Sequence, residues 1–387
     1  MKVNLHHIIF LSCIFLLFGC DSEDDLSPAS PSYIKIIEGN GADDPIAIRT
    51  LSDGTLLIVS NSVSFEQGDQ IRKIRILKLN LNGNIINEQF LPESNQNWAA
   101  RDVLVMQSGD ILLASTIQNS IGADTSLLFY KINNNLDSIG TSTYNNEAAY
   151  TLFGIEEDDD GLLFIAQESK GSDSYPIIGE LNSDNLALKR DVKEAKKYDE
   201  SPSTKVYRNE AGEYVWAYNR TRSYLTRVQP NLLLVNDQEI NLGNSGDTKA
   251  EKLLMREGNP IVFGEVKINQ RDQIFYYNQN SGNSFVFGSS ANTLLNNVQM
   301  TPDGFLVTGY QDLQIEGSEN RQRNFFLSRR NENGGEIFSK TFGTDDNQEL
   351  TDAVFHNGSI ISIGKTVFDG ENTLVLIKTD AFGQLKN

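Results

Sequence analysis

From residue 33 onward, hydrophobic residues fall into runs of four to eight, each bounded by turn residues. One set reads TLLIVS (55–60), DILLAS (110–115), LLFIAQ (162–167), EYVWAY (213–218), PIVFG (260–264), FLVTGY (305–310) and SIISIG (359–364). Neighbouring positions in these runs are apolar, so each strand is expected to be buried on both faces. Several end in a small residue: Ala114, Ala166, Ala217, Gly264, Gly309 or Gly364. A second set reads IRILKLN (74–80), LLFYKIN (127–133), PIIGELN (176–182), YLTRVQ (224–229), IFYYN (274–278), FFLSRRN (325–331) and NTLVLIKT (372–379). Most of these close on or next to an amide or carboxylate side chain, which suits a turn. No helical period of apolar residues appears in the same stretch.

A glycine precedes or opens each strand of the first set, at 54, 109, 161, 212, 258, 304 and 358. The steps are 55, 52, 51, 46, 46 and 54 residues. A period of this size marks an array of repeated sheet units. Four short antiparallel strands per unit, seven units and apolar middle strands predict an all-β, seven-bladed β-propeller over 33–387.

The ends of the chain predict closure. The last unit stops after its third strand, while Tyr33–Glu38 (YIKIIE) stands alone before the first. The segment 33–39 followed by Asp43-Asp44 matches 337–343 followed by Asp345-Asp346, so it reads as a fourth strand that completes the last blade. The units also resemble a bacterial propeller-like repeat, most clearly at 338–343 with 374–383 and at 51–60 with 76–83. Blades four and five match it poorly. This resemblance implies a fold and no activity.

Residues 1–19 read as a secretory signal, with Lys2 ahead of an apolar run from Ile8 to Gly19. Leu17-Phe18-Gly19-Cys20 resembles the lipobox of bacterial lipoproteins. The resemblance implies cleavage before Cys20 and lipid, palmitate included, on that residue. The acidic run Asp21–Asp25 resembles the surface-export signal of Bacteroidetes lipoproteins, which implies an outer-membrane protein facing the cell exterior. Residues 20–32 would then be a lipidated acidic tether. Cys13 leaves with the signal and Cys20 carries lipid, so no thiol remains for a disulfide, a metal or a nucleophile.

The net charge of −19 disfavours nucleic acid and anionic lipid as partners. Polyanionic glycans are disfavoured too, unless a local basic patch exists. Arg220, Arg222 and Arg227, and later Arg321, Arg323, Arg329 and Arg330, are the notable basic clusters; both sets can equally pair with neighbouring acids.

Catalytic chemistry is thinly represented. After signal removal His356 is the one histidine left, so a histidine-rich metal site is excluded and a Ser-His-Asp triad would have to work from a turn. Of the common hydrolytic schemes, a carboxylate pair survives. The run Glu156–Gly161 lacks EF-hand spacing and reads as a solvated turn. No catalytic residue, metal or cofactor is assigned. Asp137-Ser138-Ile139 matches the short O-glycosylation pattern of Bacteroidetes, a match that chance also supplies.

The second loops of several units are long (61–72, 118–125, 311–324, 365–371), which points to their end of the ring as the functional face. Eleven residues before each turn glycine stand Asp43, Trp98, Tyr150, Ser201, Asp247, Thr293 and Asn347, expected near the channel mouth. Trp98 and Tyr150, flanked by Arg101 and Glu147, are a candidate platform for a sugar or peptide. The reading as wedge residues packed between blades is preferred, since large aromatics are usually buried. Asp346 is a further candidate on that face. The leading expectation is a non-enzymatic surface lipoprotein that binds a glycan, a peptide or an outer-membrane protein. The alternative is a carboxylate-dependent glycan hydrolase or lyase.

Overall fold

A computed structural model describes residues 32–385 apart from 40, 65–70, 94–95, 119–124, 146–147, 172, 194–201, 232, 244–246, 289–290, 315–320, 344–345 and 369. The expected signal and most of the tether, Cys20 included, lie outside the described residues. The described chain has no helix. It forms 28 strands, numbered β1 to β28 in chain order, in seven antiparallel sheets of four strands each. The fold is a seven-bladed β-propeller.

Six sheets are meanders of consecutive strands. The seventh has the order β1-β28-β27-β26, where β1 is Tyr33–Ile37, β26 Gln348–His356, β27 Ser359–Phe368 and β28 Glu371–Asp380. Tyr33 pairs with Lys378 and Ile37 with Leu374, so the first strand of the chain closes the last blade.

The reason for two apolar faces is visible in the core. Buried side chains form seven apolar clusters among the described residues, each drawn from two neighbouring sheets. One of them joins Ile361, Ile363 and Leu376 of the last blade to Ile48, Ile58 and Leu77 of the first. Seven interfaces for seven blades is the count of a closed ring. Every middle strand therefore has a sheet against each face, and Leu56–Val59, Ile111–Ala114 and Leu162–Ala166 are entirely enclosed.

The seven turn glycines share a spacing and differ in their reasons. Gly54, Gly109 and Gly212 donate to the carbonyl three residues back, and a second bond closes the turn, as from Leu51 N to Thr55 O. In each, glycine takes the left-handed position of a bulged hairpin. Glu257-Gly258 and Asn357-Gly358 are two-residue turns with positive φ at both positions. Gly161 and Gly304 instead open their strands, at φ 142° and 153°. A Cβ there would lie 2.4 Å from the Leu181 oxygen and 1.9 Å from the Arg330 oxygen. The amide-closed turns also behave as expected: Oδ1 of Asn80, Asn133, Asn331 and Asp380 each accepts two backbone N–H groups.

Candidate binding channel

The innermost strands of the seven blades are β2 (Gly41–Thr50), β6 (Asn97–Val105), β10 (Ala149–Asp158), β14 (Tyr207–Arg208), β18 (Thr248–Arg256), β22 (Asn292–Thr301) and β26. Six of them carry a bulge against the second strand, with the pairing skipping Ile46, Arg101, Phe153, Glu251, Asn296 and Thr351. An unpaired residue bends the strand and re-aims its side chains. The small residues at the ends of the second strands make room for this kink. A Cβ on Gly264, Gly309 or Gly364 would stand 2.1, 1.9 and 2.3 Å from the oxygens of Lys249, Leu294 and Glu349.

The bulged segments, together with 203–207 of blade four, line a central cavity of about 480 Å³ to which all seven blades contribute. The bulge residues stand seven or eight positions before the turn glycine. The position eleven residues before it, expected at the mouth, is a wedge position in several blades. Asp43 is buried beneath Arg75, whose Nη1 lies 2.6 Å from its Oδ2. Thr293 is buried outright. Tyr150 is also buried, edge-on to Tyr144 with ring centroids 5.2 Å apart. Its backbone is bound to Thr125 of the neighbouring blade. The platform of Trp98 and Tyr150 does not form, because Tyr150 fills the interface between blades two and three.

Trp98 is half-buried, packed edge-on against Tyr130 at 5.8 Å, and its indole N–H reaches Gln96 Oε1 at 3.3 Å. It does line a groove of about 300 Å³ together with Arg72 and Arg101. Arg101 is exposed and borders three spaces: this groove, a second of about 400 Å³ beside Asp44 and Lys365, and the central cavity. Partial desolvation of its head group, then the nearby Arg72, push its guanidinium below the usual range, against the attraction of Asp44. Asp346 is exposed in a bend and lines none of these three spaces. Glu147, Ser201 and, within the second loops, residues 65–70, 119–124, 315–320 and 369 lie outside the described residues. Ser138 is exposed at the start of an outermost strand.

Several charges in the cavity are paired. Lys205 Nζ sits 2.9 Å from Asp102 Oδ2, 3.5 Å from Glu156 Oε2 and 3.1 Å from the Ile155 oxygen. Burial pushes Glu156 above the usual carboxylate range, against the attraction of Lys205 and with the repulsion of Asp102. Asp102 is shifted the other way: burial would raise it, and Lys205 with the Ile155 N–H outweighs that. Glu156 thus leaves the acidic turn to which its sequence neighbours belong. Asp158 and Asp160 of that turn pair with Arg208. Among the described residues no cluster of His, Cys, Asp or Glu is arranged to hold a metal ion.

Outside the cavity, the sequence's arginine clusters are mostly paired with acids. Arg222 pairs with Glu239, Arg323 with Asp312 and Glu349, Arg329 with Asp303 and Arg330 with Glu336. Arg220 lies over the stacked rings of Tyr218 and Tyr224, 5.4 and 5.3 Å from their centroids.

No protein-family model matches this chain, and no curated protein matches it in sequence. Solved structures match it in fold. The β-propeller domain of the Trilobed protease from Pyrococcus furiosus aligns over 92% of this chain and 100% of its own, at 10% identity and TM-score 0.50. An acylaminoacyl peptidase from Pyrococcus horikoshii aligns over 89% of this chain, at 11% identity and TM-score 0.53; the chain spans 52% of that protein. A protein of unknown function from Bacteroides caccae aligns over 81% of this chain and 94% of its own, at 12% identity and TM-score 0.44. At such identities the likeness is one of fold, and a fold of this kind does not carry an activity with it.

Proposed function

We propose that this chain is a lipid-anchored, surface-exposed propeller that acts as a non-enzymatic binding or scaffold module, with its central channel and the adjoining grooves as the contact region. The supporting observation is the pairing of the channel's carboxylates. Asp102 and Glu156 share Lys205, Glu251 holds Lys249, and Asp352 holds Arg49. A hydrolytic acid pair needs two carboxyl groups facing each other across space for the scissile bond and, in inverting enzymes, a water. Here a cation already stands between or beside each of them. The ligand classes under this proposal are a glycan, a peptide or a protein of the outer membrane.

One observation favours the alternative of a carboxylate-dependent glycan hydrolase or lyase. Glu156 and Asp102 are neighbours whose environments drive their proton affinities apart, the pattern of an acid and its ionised partner. Incubating the full chain with an array of oligosaccharides and peptides, and analysing both retention and products, separates the two readings. Retention without product supports the binding module. Product formed by the wild type and lost in Glu156→Gln establishes the enzyme.

The anchor is tested separately. Replacing Cys20 by Ala is expected to release the protein from the membrane fraction, and a Cys20→Ala protein that stays bound refutes lipid anchoring at this residue. External protease acting on intact cells is expected to digest the wild type; protection would place it on the inner side.

A further inference from the structure

Two cations in the central channel lack a direct ionic contact among the described residues, although Asp44 attracts one of them, Arg101, and Asp102, Glu251 and Asp352 attract the other, Lys252. Arg101 of β6 and Lys252 of β18 line the same cavity, and neither makes a hydrogen bond or an ion pair there. We propose that Arg101 and Lys252 form a binding site for the carboxylate group of a small monoanionic ligand that enters the central channel. The proposal rests on the binding reading above and specifies its ligand.

The surrounding charges explain why these two are left over. Lys252 faces Asp102, Glu251 and Asp352, and each of those carboxylates is already held by another cation: Lys205, Lys249 and Arg49 in turn. Lys205, also nearby, adds repulsion. Burial is the largest influence on Lys252 and pushes its ammonium below the usual lysine range. A half-buried ammonium whose neighbouring carboxylates are held by other cations is costly to keep, and a bound carboxylate would supply a counter-ion of its own. Arg101 offers a planar fork suited to two parallel bonds with a carboxylate, and it stands where both outer grooves meet the channel.

Charge and size narrow the ligand. Five cations (Arg49, Arg101, Lys205, Lys249, Lys252) stand in and around the channel against four carboxylates (Asp102, Glu156, Glu251, Asp352), an excess of one positive charge, so a monoanion balances the site and a second negative charge would meet acids instead of free cations. A volume of about 480 Å³ falls in the range of small-molecule sites. An acidic monosaccharide or the C-terminal residues of a peptide presents the required group, and the experiment distinguishes these two sources.

The full chain would be titrated calorimetrically with D-galacturonate and with an N-acetylated dipeptide bearing a free C-terminus. Galactose, the corresponding dipeptide amide and inorganic phosphate are the controls. Arg101→Gln and Lys252→Met would be titrated in parallel, each first shown by thermal unfolding to be folded. The expected result is binding of one carboxylate probe, no binding of its neutral counterpart, and at least about a tenfold loss of affinity in each variant. Failure of both carboxylate probes to bind, tighter binding of phosphate, or affinity unchanged by both substitutions would overturn the proposal. Binding that survives both substitutions leaves the binding module standing and removes only this site. Conversion of a probe to product would instead remove the non-enzymatic reading.

Discussion

Arg49 and Asp352 are 303 positions apart in the chain and form an ion pair inside the ring. Asp352 is fully enclosed; one oxygen also accepts the Ile48 N–H at 3.1 Å, and the other accepts Asn297 Nδ2 at 2.7 Å and the Ala353 N–H at 2.8 Å. The Arg49 Nε in turn donates to the Val103 oxygen at 3.2 Å. One carboxylate and one guanidinium thereby connect blades six, seven, one and two at the junction where the ring closes.

Removing that carboxylate leaves a half-buried guanidinium and several N–H donors without partners. Asp352→Ala is therefore expected to cost about 3–5 kcal/mol of stability, read as a lower midpoint in urea unfolding. A loss below about 1 kcal/mol would show that water replaces the carboxylate without difficulty.

Deleting residues 33–37 exposes the edge of β28 and opens one of the seven interfaces. An unpaired edge invites pairing with another chain, so the deletion variant is expected to associate on size-exclusion chromatography with light scattering. Ile37→Ala alone, which trims one side chain at the closing seam, is expected to cost about 2–4 kcal/mol without association. A monomeric deletion variant with unchanged unfolding would show that β1 is dispensable for closure.

Lys252→Met is expected to stabilise the ligand-free protein by about 1 kcal/mol, because the methylene stem is kept and an unpaired ammonium is removed. The sign of the pH dependence follows from the depressed proton affinity of Lys252 in the folded state. Between the folded value and the ordinary lysine value near 10.4, the unfolded chain binds more protons, so wild-type stability rises with pH through that window. The advantage of the Met variant should accordingly shrink as the medium becomes alkaline. An advantage that is constant with pH would contradict the assignment.

Glu156 gives the opposite slope in acid. Its proton affinity is raised on folding, so above the ordinary glutamate value of about 4.3 the folded state binds more protons than the unfolded one. The Glu156 contribution to stability therefore falls as pH rises from about 4.3 through its folded value. Glu156→Gln removes this component, and the difference between the two proteins in thermal midpoint should change across that range. Parallel profiles would show that Glu156 titrates normally.

Particular residues show how far the sequence could be read. Leu56–Val59 and Leu162–Ala166 announced strands enclosed on both faces, because a run apolar at every position has no side to offer water. The match of 33–39 to 337–343 located the closing strand before any pairing was known. Tyr150 was legible as an aromatic at a repeated position, yet its choice between platform and wedge depended on the distance to Tyr144 and Thr125, residues of the neighbouring blade. The small residues Gly264, Gly309 and Gly364 were visible as a pattern; what they accommodate, the bulge of the adjacent inner strand, was not. That bulge decides which side chains face the channel.

The sequence by itself determined the number of blades, the order of strands within each and the strand that completes the ring. Those properties follow from local turn chemistry and from two-sided hydrophobicity, which act within one unit or between consecutive ones. Only the tertiary structure decided the contents of the channel. Its lining takes one segment from each of seven distant stretches, and whether a charge such as Lys205 or Lys252 is paired depends on which carboxylates the closed ring brings across to it. Electrostatic pairing acts over a few ångströms in space, without regard to separation along the chain, so the fold had to be complete before the unpaired cations could be identified.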